Sequence, residues 1–270
     1  MKLYLRKIEP HHNSLLENTM KSVSIITVSQ YSRFESLKNL YELILLQDYP
    51  NIIEWVIVEG SKTEEFKMAN SKQIQEHFSE NDAKIKIRYI IPTSILPLSD
   101  LRNLGNKECR GEIIVCMDDD DYYPKQRVSH AVERLNVSGL QIAGCSPVYM
   151  YDYFYEKLYK FEGYKNHSTN NCMAFTREYL ETHRHKKGLH IAEETSFTNG
   201  FSESMVQLDP LKCIVVSSHG NNTFDKKILI EKMERDEIDN VYEINKPIAN
   251  YIPKERFMKM RAVFSNTYIQ

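Results

Sequence analysis

Paired cysteines are missing from this sequence. Its 270 residues contain five cysteines, and no two of them form a Cys-x-x-Cys pair. Such pairs are typical of zinc sites and redox motifs, so neither is indicated. Because the number is odd and several of the cysteines lie in apolar runs, we interpret them as reduced core thiols in a cytosolic-type compartment.

Long hydrophobic runs are also absent. No apolar stretch approaches the ~18 residues that a membrane-spanning helix needs. Residues 1–18 are too polar for a signal peptide. We therefore expect a soluble, cytoplasmic protein that has no membrane span.

The sequence has no strong excess of charge of either sign. Lys and Arg together number 35 and Asp and Glu 37, which gives a formal net charge of -2. A basic surface that would attract nucleic acid is not indicated, and neither is an acidic tail. We therefore expect no nucleic-acid partner.

Apolar, β-branched segments are present, and they alternate with amphipathic or polar segments. They predict strands over residues 22–29, 53–61, 85–91 and 112–117. Alternation at this spacing predicts an α/β fold with a mostly parallel central sheet whose faces are covered. In such sheets ligands bind beyond the carboxyl ends of the strands, where Glu59 and residues 118–121 are expected to lie.

Local signals predict the ends of the helices. Ser32 is expected to cap the first helix, with Glu35 as its capping-box partner. Ser99 is expected to cap a later helix, and Gly111 to end that helix in the left-handed conformation. Pro124 is expected to open the helix after the acidic cluster.

No linker divides the chain, so we expect one domain. Residues 1–225 form this domain, with residues 1–21 as an N-terminal extension. Residues 226–270 are charged and irregular, and they are expected to form a helical extension packed on it. Beyond about residue 140, tyrosine-rich segments predict strands joined by hairpin turns.

Four consecutive aspartates follow the fourth predicted strand. Adjacent like charges repel, so a cation is expected beside them. Hard divalent cations prefer carboxylate and phosphate oxygens, which suits Mn²⁺ or Mg²⁺ bound with a diphosphate. The alternative is a solvated turn whose charge favours the start of the next helix. An EF-hand loop is not indicated, because Tyr123 stands where that loop needs glycine.

Several segments together resemble the GT-A glycosyltransferases of family 2. In order they are VSIITVSQYSR, EWVIVEGS, LSDLRNLGNKECRGEIIVCMDDDDYYP and AEETSF, within about residues 22–224. The third is the most specific, with an Arg-Asn-x-Gly helix, a Gly-Glu-apolar strand, a D-x-D-D cluster, two aromatics and a proline. The short tyrosine-rich middle also resembles the trimmed GT-A enzymes of large DNA viruses of algae.

The resemblance implies a single GT-A domain, in which a Rossmann-like nucleotide-binding half joins an acceptor-binding half. It also implies transfer of a sugar from a nucleotide-diphosphate donor, with UDP-sugars favoured, to a glycan acceptor. A divalent metal would be held by Asp118 and Asp120, with Asp120 the direct ligand and Asp118 nearer the ribose. The implied nucleotide-binding residues are Thr27, Ser29, Arg33, Glu59, Arg102, Asp118 and Asp119.

Two departures from the family pattern concern the nucleotide. One extra residue, Gln30, stands in the loop after the first strand. The second strand ends in Glu59 and Gly60, where the family usually has Asp-Asp-Gly. Both changes affect the contacts to the base, so the choice of nucleotide stays open.

Three later residues complete the predicted site. His219 ends an apolar strand, and many GT-A enzymes recruit a late histidine as a metal or phosphate ligand, although a structural role is as well supported. By resemblance, Glu194 is the general base of an inverting enzyme, with Glu193 as its substitute. The alternative is that the two acids only stabilise a helix start. A retaining enzyme would not need this base.

The resulting hypothesis is a metal-dependent, inverting glycosyltransferase. A nucleotidyltransferase acting on a sugar phosphate also uses acids and Mg²⁺, but TVSQYSR lacks the glycine-rich, lysine-containing phosphate loop of those enzymes. A noncatalytic nucleotide-sugar-binding domain with the same fold is the third possibility.

Overall fold

A seven-stranded sheet lies at the centre of the protein. The structure is a computed structural model that describes residues 20–78 and 85–264, so the predicted N-terminal extension falls almost wholly outside the described residues. The strands are β1 (Val23–Ser29), β2 (Ile52–Glu59), β3 (Lys86–Ile90), β4 (Ile113–Cys116), β5 (Ile142–Gly144), β6 (Val148–Asp152), β7 (Lys157–Phe161), β8 (Ala174–Thr176), β9 (Val206–Gln207), β10 (Val215–Ser218) and β11 (Val241–Glu243).

Helices connect most of these strands. They are α1 (Phe34–Leu45), α2 (Glu64–His77), α3 (Leu98–Glu108), α4 (Arg127–Ser138), α5 (Tyr179–Thr182), α6 (Glu194–Phe197), α7 (Pro210–Cys213), α8 (Lys227–Glu234) and α9 (Lys254–Phe264). Within the described ranges, no helix combines the length and the apolar character needed to cross a membrane.

The strand order of the central sheet is β3-β2-β1-β4-β8-β5-β9. β1 pairs in parallel with β2 and with β4, and β2 pairs in parallel with β3. The direction changes at β8, which runs antiparallel to both β4 and β5. The α/β fold with a mostly parallel central sheet is therefore confirmed, and each of the four strands predicted from the apolar runs is present.

The inner parallel strands β1, β2 and β4 are buried on both faces over most of their length, as their apolar composition predicts, whereas β3 at the edge of the sheet is only half-buried. Ile25 in β1 lies opposite Trp55 in β2 and Val115 in β4, and all three side chains are fully buried. The same register sets Ser29 beside Glu59, so β1 and β2 end together. The polar residues that follow β1, β2 and β4 therefore meet at one edge of the sheet.

A second sheet extends the fold beside the acidic cluster. Its strand order is β10-β6-β7-β11, and β6 and β7 form the antiparallel hairpin that the tyrosine-rich segment predicts. A bridge between Tyr122 and Val215 joins the chain just after the aspartates to β10. Because β10 ends at Ser218, the next residue, His219, is brought to the same region.

The C-terminal segment contributes to the same body. β11 pairs antiparallel with β7, and α9 packs against α1. Arg256 and Lys259 of α9 both bind the Glu42 carboxylate of α1, the latter at 2.6 Å. At the end of α9 the Phe264 ring stacks on the His219 ring, with centroids 4.2 Å apart. The last described helix thus reaches a residue that the sequence marks as a candidate ligand.

Two predicted helix caps are wrong. The chain enters α1 through a 3-10 turn at Tyr31–Arg33, and no side chain caps either element, so Ser32 does not act as a cap. Ser99 lies inside the first turn of α3. Its Oγ accepts a hydrogen bond from the Leu189 N–H at 2.9 Å instead, which ties α3 to the loop before α6.

Gly111 and Pro124 also differ from their predicted roles. Gly111 is not among the glycines with positive φ, and Cys109 already ends α3 in an extended conformation. The glycine is needed for space, because a Cβ atom at this position would lie 2.4 Å from the backbone nitrogen of Ser24 in β1. Pro124 precedes a turn, and α4 itself begins at Arg127.

Candidate active site

A cavity of about 690 Å³ lies at the carboxyl edge of the parallel strands. The loops after β1, β2 and β4 form one part of its wall, and residues 169–171, 190–194 and 222–224 form the other. Ligand cavities of open α/β sheets occupy this position. The predicted residues that line it together are Ser29, Arg33, Arg102, Asp118, Asp120, Glu193 and Glu194.

Two arginines bind the first three aspartates of the cluster. Arg102 binds Asp118 in a bidentate manner, with Nη1–Oδ1 and Nη2–Oδ2 distances of 2.9 and 3.1 Å. Nη1 of Arg33 lies 3.0 Å from Oδ1 of Asp119 and 3.1 Å from Oδ2 of Asp120. The positive charge expected beside the acids is therefore already supplied in part by two guanidinium groups.

The fourth aspartate has a different role. Asp121 accepts a hydrogen bond from Asn171 Nδ2 at 2.6 Å and another from the Ser217 N–H at 2.8 Å. These bonds join the acidic loop to the segment before β8 and to β10. Asp121 therefore fixes the loop that presents Asp118 and Asp120 to the cavity. Asp119, predicted to bind the nucleotide, has a fully buried side chain and does not line the cavity.

Burial and repulsion give the buried acids different proton affinities. Burial, together with the charge of Asp120, raises the pKa of Asp121 above its ordinary value. Burial raises the pKa of Asp119 as well, against the attraction of Arg33. Burial also opposes the ionisation of Asp120, but Arg33 and His219 outweigh it and hold its pKa well below the usual range. Asp120 is therefore the buried acid that most firmly keeps its charge.

His219 contacts Asp120 from outside the cavity wall. Its Nδ1 accepts a hydrogen bond from the Asn221 N–H at 3.2 Å, which leaves Nε2 to donate to Oδ2 of Asp120 at 3.2 Å. Asn222 Nδ2 donates to the same oxygen at 3.0 Å. Burial lowers the pKa of His219, which favours this neutral ring. The histidine and the asparagine together orient the Asp120 carboxylate.

The two glutamates at the start of α6 have different surroundings. Oε1 of Glu193 accepts a hydrogen bond from Arg102 Nε at 2.9 Å, so one guanidinium joins Glu193 to Asp118. Glu194 is half-buried on the cavity wall, and burial and the charge of Glu193 raise its pKa. A raised pKa makes a carboxylate a stronger base. Glu194 is therefore suited to accept a proton, whereas Glu193 is engaged by Arg102.

Thr27, predicted to contact the nucleotide, is not on the cavity wall. It is fully buried, and its hydroxyl donates to the Met117 carbonyl at 2.7 Å and accepts from Trp55 Nε1 at 2.9 Å. The hydroxyl group of Thr27 thus uses both its donor and its acceptor within the protein. Ser29 and Gln30, which follow on the same strand and loop, do line the cavity.

The Glu59 carboxylate is likewise occupied by the protein. It accepts hydrogen bonds from the Ser61 N–H at 2.6 Å, from Asn70 Nδ2 and from the Tyr89 hydroxyl. Oγ of Ser61 in turn accepts from the Tyr31 N–H at 2.9 Å. The predicted contact between Glu59 and the base is therefore not supported. The residue instead fixes the loop after β2 and, through Ser61, the loop after β1.

Asn170, Asn171 and Lys226 are among the residues of the cavity wall that were not anticipated as binding residues. Asn170 and Asn171 precede β8, and Lys226 precedes α8, where its Nζ donates to the Ser217 carbonyl at 2.8 Å. Asn171 contacts Asp121, which is 50 residues away in the sequence. An Asn-Asn pair before a short strand is the one local signal, and by itself it does not indicate contact with the acids.

The donor set fits a divalent cation that is shared with a diphosphate. Among the described residues, no three His, Cys, Asp or Glu side chains are arranged to hold a metal by themselves. Mg²⁺ in nucleotide-dependent enzymes is usually bound by one or two carboxylates plus phosphate oxygens. Asp118 and Asp120 both reach the cavity wall, and Asp120 keeps its charge, so this pair suits such a shared site.

Solved structures with a similar fold include two that contain nucleotide sugars. S. aureus TarS 1-349 in complex with UDP-GlcNAc has 15% sequence identity and a TM-score of 0.53, over 75% of this chain and 60% of that one. The mannosyltransferase PcManGT from Pyrobaculum calidifontis, in complex with GDP-Man and Mn²⁺, has 15% identity and a TM-score of 0.56, over 93% and 70%. At this identity the likeness concerns the fold. The chain thus spans less than two thirds of TarS 1-349.

Sequence comparison identifies the family. Curated protein sequences gave no match, and no comparison bears on the resemblance to viral enzymes. The family model for glycosyl transferase family 2 matches residues 24–208, which is more than half of the chain and includes the aspartates, Arg102 and both glutamates. This match favours a member of the glycosyltransferase family over the nucleotidyltransferase alternative. The chain belongs to glycosyl transferase family 2 and has the GT-A fold.

Proposed function

We propose that the cavity catalyses metal-dependent transfer of a sugar from a nucleotide-diphosphate sugar to a glycan, with inversion at the anomeric carbon. One observation carries this proposal. Asp118 and Asp120, which suit a cation and a diphosphate, share a single cavity wall with Glu194, which suits an acceptor proton. Arg102 fixes the positions of the donor side and the acceptor side relative to each other, because it binds both Asp118 and Glu193.

At the donor end, the chain supplies charge and orientation. Asp118 and Asp120 would hold the cation. His219, predicted as a further ligand, donates from Nε2 to Asp120 and therefore orients that carboxylate instead of binding the cation itself. When bound, Mn²⁺ or Mg²⁺ neutralises the charge that develops on the departing diphosphate. Arg33 and Lys226 add positive charge to the same wall. In this proposal the nucleotide lies along the loops after β1, β2 and β4.

At the acceptor end, Glu194 removes a proton. An inverting transfer needs a base that accepts the proton of the attacking hydroxyl. The raised pKa of Glu194 favours this step, and the ion pair of Glu193 with Arg102 leaves Glu194 as the available carboxylate. Glu193 becomes a positioning residue in this scheme.

The donor is proposed to be a UDP-sugar, with GDP-sugars as the competing class. The TarS structure contains UDP-GlcNAc and the PcManGT structure contains GDP-Man. Because Glu59 already accepts three hydrogen bonds from the protein and does not line the cavity, selection of the base falls to residues that do line it, including Ser29, Gln30 and Lys62.

A donor screen tests the proposal. Release of nucleoside diphosphate is measured for a set of UDP-sugars and GDP-sugars, in the presence of Mn²⁺, Mg²⁺ or EDTA. We expect turnover of at least one UDP-sugar, stimulation of that turnover by candidate glycan acceptors, and its loss in EDTA. Full turnover in EDTA would contradict metal dependence. Turnover confined to GDP-sugars would contradict the donor assignment, and failure with every donor would contradict the function.

A further inference from the structure

Asn170 presents an unsatisfied carboxamide within the cavity wall. It begins a short 3-10 helix, Asn170–Cys172, that leads into β8. The residue is 4% exposed, and neither its Oδ1 nor its Nδ2 has a hydrogen-bond partner in the described part of the chain. Its main chain is engaged normally, since its carbonyl accepts from the Met173 N–H at 2.9 Å. What needs an explanation is therefore the side chain of Asn170, whose polar atoms are buried without partners among the described residues.

A buried carboxamide without partners destabilises a folded protein. Native structures pair the large majority of buried polar side-chain atoms, and each one left unpaired loses its hydration without compensation. Leucine has a similar branched shape and would avoid this cost. The presence of asparagine at residue 170 therefore points to partners that a ligand supplies.

The position of Asn170 indicates which ligand this is. The neighbouring Asn171 donates from Nδ2 to Asp121 at 2.6 Å, and its carbonyl accepts from the Tyr123 hydroxyl at 3.4 Å. These bonds hold the segment against the acidic loop. The same cavity is lined by Glu194, so Asn170 belongs to a wall shared by the diphosphate side and the base. The group that must lie between those two sides is the sugar being transferred.

The chemistry of the carboxamide fits sugar hydroxyl groups. It is neutral, and it offers two donors and an acceptor. A hydroxyl group both donates and accepts, so two adjacent hydroxyls of a pyranose ring can satisfy Oδ1 and Nδ2 together. Phosphate oxygens would satisfy Nδ2 and repel Oδ1. On the basis of the proposed function, we infer that Asn170 binds hydroxyl groups of the transferred sugar and contributes to the choice of that sugar.

Thermal stability of the unliganded protein separates this role from a structural one. We expect Asn170→Leu to melt at or above the temperature of the wild type, because the change removes an unsatisfied polar group. Asn103 offers a matched contrast. Its Nδ2 donates to the His185 carbonyl at 2.8 Å and its Oδ1 accepts from the His185 N–H at 3.0 Å, so Asn103→Ala should lower the melting temperature. A large drop for Asn170→Leu would overturn the inference.

Binding measurements then test the sugar contact. With Mn²⁺ present, the dissociation constants of UDP and GDP are compared with those of UDP-glucose, UDP-GlcNAc and GDP-mannose by calorimetry, for the wild type and for Asn170→Ala. We expect the wild type to bind one nucleotide sugar more tightly than its parent nucleotide. Asn170→Ala should lose most of this difference while binding the nucleotide within about 2-fold of the wild type. Its kcat/KM for transfer should fall by about 10- to 100-fold, as for two lost hydrogen bonds.

The outcomes distinguish this inference from the proposed function. If no nucleotide binds, the proposed function fails. If nucleotides bind and Asn170→Ala keeps the full preference for the nucleotide sugar, the inference about Asn170 is overturned and the proposed function stands. A wild type that shows no such preference for any of the three sugars would also overturn the inference.

Discussion

Single side chains carry separate tasks in this cavity, and Asp120 is the acid whose charge is most firmly held. Replacement of Asp120 by Asn keeps its shape and leaves Arg33 paired with Asp119 at 3.0 Å. We therefore expect Asp120→Asn to fold but to melt below the wild type, because the amide replaces a carboxylate that Arg33 and His219 bind in its charged form. It should lose Mn²⁺-dependent release of nucleotide, because a neutral amide is a poor ligand for a hard cation.

The control for this change is Asp48→Asn, which alters an exposed aspartate on the surface. This variant should keep wild-type activity. Near wild-type Mn²⁺-dependent turnover by Asp120→Asn would rule out Asp120 as a metal ligand.

Substitution of Glu194 and substitution of its neighbour Glu193 should impair the enzyme in different ways. Glu194→Gln keeps the size of the side chain but cannot accept a proton, so transfer to the acceptor should fall by about 10²–10⁴-fold. Donor binding should change little. Glu193→Gln should weaken the bond to Arg102 and affect donor binding as well. Steady-state kinetics combined with calorimetry measures both. An active Glu194→Gln beside an inactive Glu193→Gln would reverse the two assignments.

His185 makes stability depend on pH. It is buried against the Phe197 ring, and burial lowers its pKa to about 4. An unfolded histidine binds its proton near pH 6.5, so between pH 6.5 and 4 the unfolded state binds more protons. Stability should therefore fall as the pH is lowered through this window, by up to about 3 kcal/mol.

Urea denaturation of the wild type, of His185→Gln and of the exposed His190→Gln measures this contribution. The slope of unfolding free energy against pH should be shallower in His185→Gln and unchanged in His190→Gln. Equal slopes in all three proteins would show that His185 is not buried as a neutral ring.

At the level of elements, the close contact between β1 and the turn before β4 depends on Gly111. A Cβ atom there would lie 2.4 Å from Ser24 N and 2.7 Å from Val23 C, and neither backbone atom can move without disturbing a central strand. We expect Gly111→Ala to lower the free energy of unfolding by about 1–3 kcal/mol. Chemical denaturation measures the loss.

Gly139 provides the control for this change. It ends α4 with a φ of 67°, and no atom of residues 20–78 or 85–264 lies within 4 Å of the position that a Cβ would take. Asparagine tolerates this conformation, so Gly139→Asn should cost less than Gly111→Ala. If Gly139→Asn lowered the free energy of unfolding more than Gly111→Ala does, lack of space would not be the reason that residue 111 is glycine.

The elements themselves were largely predictable, and their ends were not. Continuous apolar runs can bury their side chains on both faces of a covered parallel sheet. This is why β1, β2, β3 and β4 appear where the sequence predicts them. The caps depend on competition among nearby groups. Ser99, for example, is used by the Leu189 N–H rather than by its own helix. Such a partner lies 90 residues away and leaves no local signal.

At the level of the whole molecule, the order of strands made the site predictable in outline. Parallel strands place their carboxyl ends at one edge, so Glu59 and the acids after β4 could be expected there together. Arg102 and the two glutamates were expected in the site only from the resemblance to the family. Contacts between distant segments could not be derived. They include Arg33 with Asp119, Asn171 with Asp121, and the internal bonds that withdraw Glu59 from the cavity.

The central claim is that one cavity holds both the donor diphosphate and the base that activates the acceptor. Product stereochemistry tests it most directly. Using the donor and acceptor found in the screen, proton NMR of the product gives the configuration at the newly bonded anomeric carbon. Direct attack assisted by Glu194 predicts the configuration opposite to that of the donor, formed by the wild type and strongly reduced in Glu194→Gln. A product that keeps the donor's configuration would contradict the account.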